Sequence, residues 1–124
     1  MLNEAKIKTG ITDPAYEPDL CMLIQSALTE MRTRGIVIEG IFSYQTGILT
    51  AKEAEERGEP ELEGMMVVTE WECTIRDAWI RNTALTYVTA NARGCENPDK
   101  LMAAYENMLD RMMHTTGYHR GWGR

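Results

Sequence analysis

Residues 74–118 read TIRDAWIRNTALTYVTANARGCENPDKLMAAYENMLDRMMHTTGY, and this stretch decides the fold class. Ile75, Ala78, Trp79, Leu85, Val88 and Ala92 share one side of a helical wheel, which Ile80, Ala84 and Tyr87 widen. The spacing predicts a helix that starts near Thr74, carries Asp77 in its first turn and stops at Gly94. A helix apolar over most of its circumference is either central to a core or in contact with a neighbouring subunit. After a short turn, Asn97, Pro98 and Asp99 have the order of a helix start. Asn97 is a capping amide, Pro98 lacks an N–H that would go unused there, and Asp99 is a carboxylate near the positive end of the dipole. Leu101, Met102, Tyr105, Met108, Leu109 and Met112 form the stripe of this second helix, which ends before Gly117-Tyr118.

Working outward, residues 2–8 suit a short helix ended by Gly10. Asp13-Pro14 and Glu17-Pro18 mark a turn and then a long helix. Leu20, Leu23, Ile24, Ala27, Leu28 and Met31 form one continuous stripe at spacings of three and four. Gly35 supplies a left-handed cap, with Ile36 available for the hydrophobic contact that accompanies it. From Val37 the helical period is lost. Residues 36–38 and 41–44 are β-prone, as is Met65 to Cys73, where Val67, Thr69, Trp71 and Cys73 alternate with Met66, Val68, Glu70 and Glu72. Between the β-prone runs, Thr50-Ala51-Lys52-Glu53 matches a capping box, which predicts a helical turn or two before Gly58.

The expected fold is therefore mainly α: a small four-helix bundle with a long β-hairpin-like or loop insertion between the second and third helices, and a flexible C-terminal tail. One helical domain spans residues 1–116, with the insertion arm at 37–73 and the tail at 117–124. At 124 residues, 44% apolar and 26% charged, the chain is sized for one domain with a modest core. No apolar run approaches the ~20 residues that span a bilayer, so no membrane partner is expected. The N-terminus lacks the basic-then-apolar order of a signal peptide, and an intracellular location is expected.

Charge is unevenly placed. Of the net −6, residues 37–73 carry −7, residues 1–36 carry −1, residues 74–113 balance, and residues 114–124 add Arg120 and Arg124. A nucleic-acid-gripping protein has the opposite pattern, with Lys and Arg gathered on one face. The acidic set is Glu53, Glu55, Glu56, Glu59, Glu61 and Glu63. Its alternatives are a functional arm and a merely solvated insertion. The tail combines Tyr118, His119, Arg120, Trp122 and Arg124, residue types enriched at interface hot spots. Its alternatives are a docking element and a frayed end.

No catalytic grouping emerges, and no enzyme activity or cofactor is expected. His114 and His119 are too far apart in phase to share a helical face, and with Cys95 they lack a fourth zinc ligand. Cys21, Cys73 and Cys95 match no CxxC pattern and read as reduced, buried thiols. Glu55-Glu56 has no apolar surroundings to raise a carboxyl pKa. Trp79, Tyr87 and Tyr105 lie on stripes and read as core. Met102, Met108, Met112 and Met113 suit a core or a subunit seam equally.

The apolar helix with its Ala-x-x-x-Gly step at residues 90–94, the Glu96-Asn97-Pro98-Asp99 helix start, Ala104-Tyr105-Glu106 and the closing Gly117-Tyr118 resemble the head–tail connector proteins of long-tailed double-stranded DNA phages. These are also called adaptor or head-completion proteins. The likeness is moderately specific, firmer over residues 74–118 than over 2–36, and the insertion from Val37 to Glu72 is longer than a minimal family member carries, so nothing is carried over there. The resemblance implies a virion neck protein, assembled in the host cytoplasm. Its copies form a ring, of expected twelvefold symmetry, under the portal protein. That ring extends the channel through which double-stranded DNA passes non-specifically, and it offers a surface to a stopper, neck or tail-completion protein. Two alternatives are a neighbouring neck or tail-completion protein of the same particle, and a helical DNA-binding regulator. The regulator would present Asp99, Glu106 and Asp110 to phosphate, which is unfavourable.

Overall fold

The computed structural model describes residues 1–115 together with Gly117 and Tyr118. Among them five helices and a two-stranded antiparallel sheet make an α+β domain, 57% helical, in place of the expected four-helix bundle. The helices are α1 (Leu2–Thr9), α2 (Glu17–Thr33), α3 (Ala51–Glu56), α4 (Ala78–Asn91) and α5 (Pro98–Met113). The strands are β1 (Phe42–Ile48) and β2 (Met66–Cys73), and short 3-10 turns cover Pro14–Tyr16 and Pro60–Leu62. The correction has a packing cause. The apolar stripe of α2 and the broad face of α4 are covered by α1 and the hairpin as well as by α5, so no four helices close a core on their own.

Of the two options for α4, the central one holds within the chain. It packs against α1, α2 and α5 and buries Ile80, Ala84, Leu85 and Val88. It starts later than expected. The Asp77 carboxylate accepts from the backbone N–H groups of Trp79 (2.9 Å) and Ile80 (3.1 Å), which makes Asp77 the N-cap. Residues 74–76 are accordingly non-helical, and Ile75 is buried from outside the helix. The Ile75 carbonyl accepts from Arg81 Nη1 at 2.9 Å, while Nη2 of the same guanidinium engages Glu4 and ties α1 to α4.

Helix α2 ends as its sequence predicts. Gly35 has φ 89°, Ile36 N–H donates to the Met31 carbonyl, and Gly35 N–H donates to that of Arg32. This is the paired bonding of a Schellman motif, and Ile36 is buried against the core. Helix α5 begins at Pro98, but the Asn97 side chain makes no capping hydrogen bond. Its buried residues are Tyr105, Leu109 and Met112. The Tyr105 ring meets Tyr87 edge-on at 5.2 Å between centroids. The same C-terminal end of α2 is fastened to α5 by a bidentate pair, Arg34 Nη1 and Nη2 to Glu106 at 2.8 and 3.0 Å.

The 37–73 segment folds as a hairpin, and its base is part of the core. Phe42 pairs with Cys73 and Tyr44 with Trp71. Phe42 is buried with the helices, and Tyr44 and Trp71 pack against them. The Gln25 side-chain amide donates to the Phe42 carbonyl and fixes the hairpin along α2. Gly40 turns the chain here with φ +98°, and a Cβ would meet the Thr74 carbonyl oxygen at 2.7 Å, so no other residue fits.

Strict alternation in β2 fails at one point. Gln45 pairs with Glu70 but Thr46 with Val68, so Thr69 is an extra residue, a β-bulge. Val67 and Val68 are in consequence both buried, on opposite faces. Val68 joins the main cluster, while Val67 joins Leu49, Ala54 and Leu62 in a second, small one.

Candidate functional site

The second cluster builds the end of the hairpin. Thr50 and Glu53 form the expected capping box, with Glu53 N–H donating to Thr50 Oγ1 at 3.2 Å and Thr50 Oγ1 2.8 Å from Glu53 Oε1. The box starts α3, whose Ala54 is turned inward. The 3-10 turn at Pro60–Leu62 then sets Leu62 against it. Hydrogen bonds from Leu49 N–H to the Met65 carbonyl and from Gly64 N–H to the Leu49 carbonyl close the unit.

This brings the acidic set together. Glu53, Glu55, Glu56, Glu61 and Glu63 are exposed and Glu59 is half-buried, all around one four-residue core. With only Lys52 and Arg57 between them, they leave the tip strongly anionic. Sequence reasoning missed the apolar edge beside them: Ile48, Met65 and Met66 are exposed. The available signal was the β-prone Met65-Met66 opposite the end of the first β-prone run.

Of the tail set, His119, Arg120, Trp122 and Arg124 lie outside the described residues. Tyr118 is described, and it is turned onto the domain. Its hydroxyl donates to Asp77 Oδ2 at 2.7 Å, its carbonyl accepts from Val37 N–H, and its ring stands edge-on to Trp79 at 5.0 Å. The two oxygens of Asp77 thus divide their work, Oδ1 capping α4 and Oδ2 holding Tyr118. The hydrogen bond to Asp77, then burial, hold the Tyr118 phenol above its ordinary pKa. Periodicity carries no signal for this seat, because its parts are 37, 77, 79 and 118.

The remaining candidates are placed as follows. Cys21 is buried, and burial with the nearby Glu17 charge pushes its thiol up to about 12, so it is a neutral thiol at physiological pH. Cys73 and Cys95 are free and half-buried. His114 sits at the end of α5, its Nδ1 2.8 Å from the Asp110 carbonyl oxygen. Among the described residues no three His, Cys, Asp or Glu side chains gather as metal ligands, and no helix is long and apolar enough to cross a membrane. Trp79 and Tyr87 pack against the core from half-buried positions, and Tyr105 is fully buried. Burial, then the Glu30 carboxylate, raise the Tyr105 phenol pKa. Met112 belongs to the core, and Met102 and Met113 pack against it.

The candidate site is an acidic, apolar-edged hairpin tip on a helical body. Comparison with protein-family models, curated proteins and solved structures returns no match for this chain.

Proposed function

We propose that the chain is a structural neck protein of a long-tailed DNA phage, a head–tail connector that forms a ring under the portal and offers the tail-attachment surface. The observation that carries this reading is the resemblance over residues 74–118. Those residues form one packed unit, in which α5 lies on α4 and the final Gly117-Tyr118 returns to the cap of α4. An anionic tip supports the reading. Repeated around a ring, those of its glutamates that do not meet a neighbouring copy make a wall that repels phosphates within ~8–10 Å at physiological salt, so that DNA slides without sticking.

Portal capture tests the proposal. Tyr118 packs on the body, so the informative truncation removes residues 119–124 and leaves the seat intact. Full-length chain should retain portal. The truncated chain should bind sharply less, because a buried Trp or Arg anchor can be worth ~2 kcal/mol or more. Equal capture by both would put the contact on the helices. Failure of the full-length chain to bind portal overturns the connector role, and density for the chain on the tail side of a particle neck would make it a tail-completion protein instead.

A further inference from the structure

The hairpin outreaches the body it packs on. By register, Phe42, Tyr44, Thr46 and Ile48 share one face of β1, and Cys73, Trp71, Val68 and Met66 share that face of β2. The first part of this face packs on the helices. Its continuation, the directly opposed pair Ile48 and Met66, is 65% and 54% exposed, with Met65 exposed beside it. α3 and Leu62 cover only the other face, through Val67. β2 reaches the 3-10 turn that precedes α2. That turn lies along β2, yet the pair itself is left largely exposed.

A complementary hollow opens at the same end of α2. A cavity of about 450 Å³ between α2 and the end of α4 is lined by Ile11, Leu20, Met22 and Leu23, and Met22 is 58% exposed. An adjoining cavity of about 490 Å³ shares Ala92 and Arg93 with it and adds Lys8 and Lys100. Neither lysine has an ion-pair partner among the described residues. Arg93 is held over the Tyr16 ring at 4.8 Å. Asp19 and Glu96 also line the two cavities, so their cations outnumber their carboxylates.

We propose that this hollow receives the hairpin tip of a second copy of the chain. Ile48, Met65 and Met66 cover Met22 and Leu23, and the glutamates at 59, 61 and 63 face Lys8, Arg93 and Lys100. Charge selects this occupant, because six glutamates on each tip repel another tip and are drawn to a rim of excess cations. The two patches are different surfaces of one chain, so the contact is heterologous and propagates from copy to copy, closing into a ring where the rotation allows. The area is small, so the contact between free copies is weak and weakens further with salt. The inference deepens the connector reading and rests on it for ring closure, but the contact is measured in purified chain without portal.

Two variants test it. A tip variant carries Ile48→Glu and Met66→Glu, and a hollow variant carries Met22→Glu, Lys8→Glu and Lys100→Glu. All five positions are exposed, and circular dichroism checks that both variants fold. Sedimentation velocity and native mass spectrometry at low salt, up to about 1 mM, should show wild-type chains associating. Each variant alone should associate at least about tenfold more weakly. An equimolar mixture should form one-to-one pairs and nothing larger, because it contains one intact tip and one intact hollow per pair. A wild type that stays monomeric over the whole range, a variant that associates like wild type, or a mixture that forms no pairs overturns the proposal. A chain that passes this test yet ignores portal keeps the contact and loses the connector role.

Discussion

The helical body and the hairpin tip are stabilised in different ways. The body gathers side chains from α1, α2, α4, α5 and the base of the hairpin into one cluster. The tip has Leu49, Ala54, Leu62 and Val67, a capping box and two closing backbone hydrogen bonds. Long-range burial makes the body cooperative, whereas a four-residue core leaves the tip free to open on its own. The bulge at Thr69 is the boundary, since it puts Val68 in one cluster and Val67 in the other. Separation of this kind suits a body that sets position and a tip that makes contact.

The largest effect should come from the body. Leu85→Ala removes a fully buried side chain from the central helix and should cost about 2–5 kcal/mol in chemical denaturation. The loss should be global, with amide exchange faster in every helix packed on α4. Leu62→Ala makes the same change in the tip and should cost less in global stability. Its exchange signature should be confined to residues 49–67, with α4 amides as protected as in wild type. If Leu62→Ala lowers the denaturation midpoint as much as Leu85→Ala does, the two clusters act as one core and the comparison breaks.

A smaller effect separates Tyr118 from both regions. Tyr118→Phe keeps the ring against Trp79 and removes the hydrogen bond to Asp77, at a cost of about 1 kcal/mol. The same contact sets a pH dependence. A phenol whose pKa is raised by folding contributes stability that is complete below the ordinary tyrosine value of 10.0 and is lost as pH rises through the folded value. Alkaline melts should therefore show wild type converging on Tyr118→Phe. A constant gap between them from neutral to strongly alkaline pH would place the stabilisation elsewhere.

The smallest effect should come from replacing Glu53, Glu55, Glu56, Glu59, Glu61 and Glu63 with Gln. Thermal melts should change little, because exposed charges contribute about 0–1 kcal/mol each way and Gln at position 53 preserves the capping box. If the chain is the proposed connector, particle assembly, DNA retention or DNA release should suffer instead. Normal particles from the neutral variant would reduce the acidic tip to a solvated insertion.

Local chemistry determined much of this protein from sequence alone. The α2 stripe with its Gly35–Ile36 ending, the Pro98 start of α5 and the Thr50–Glu53 box each depend on neighbours within a few residues, and such signals survive in a linear string. The start of α4 was misjudged by the same means, because Ile75 has a helical phase but belongs to the extended lead-in that Asp77 ends. The acidity of residues 53–63 was equally plain, although its gathering around a core was not. Only the tertiary structure decided that the hairpin base completes the core, so that an α+β domain replaces a bundle. It alone put Tyr118 on Asp77 and left the opposed pair Ile48 and Met66 exposed. Each of these results joins residues tens of positions apart, or turns on a single bulged residue that inverts every face beyond it. A pattern of apolar and polar residues says which side chains need cover, but only the folded chain says which of them found it.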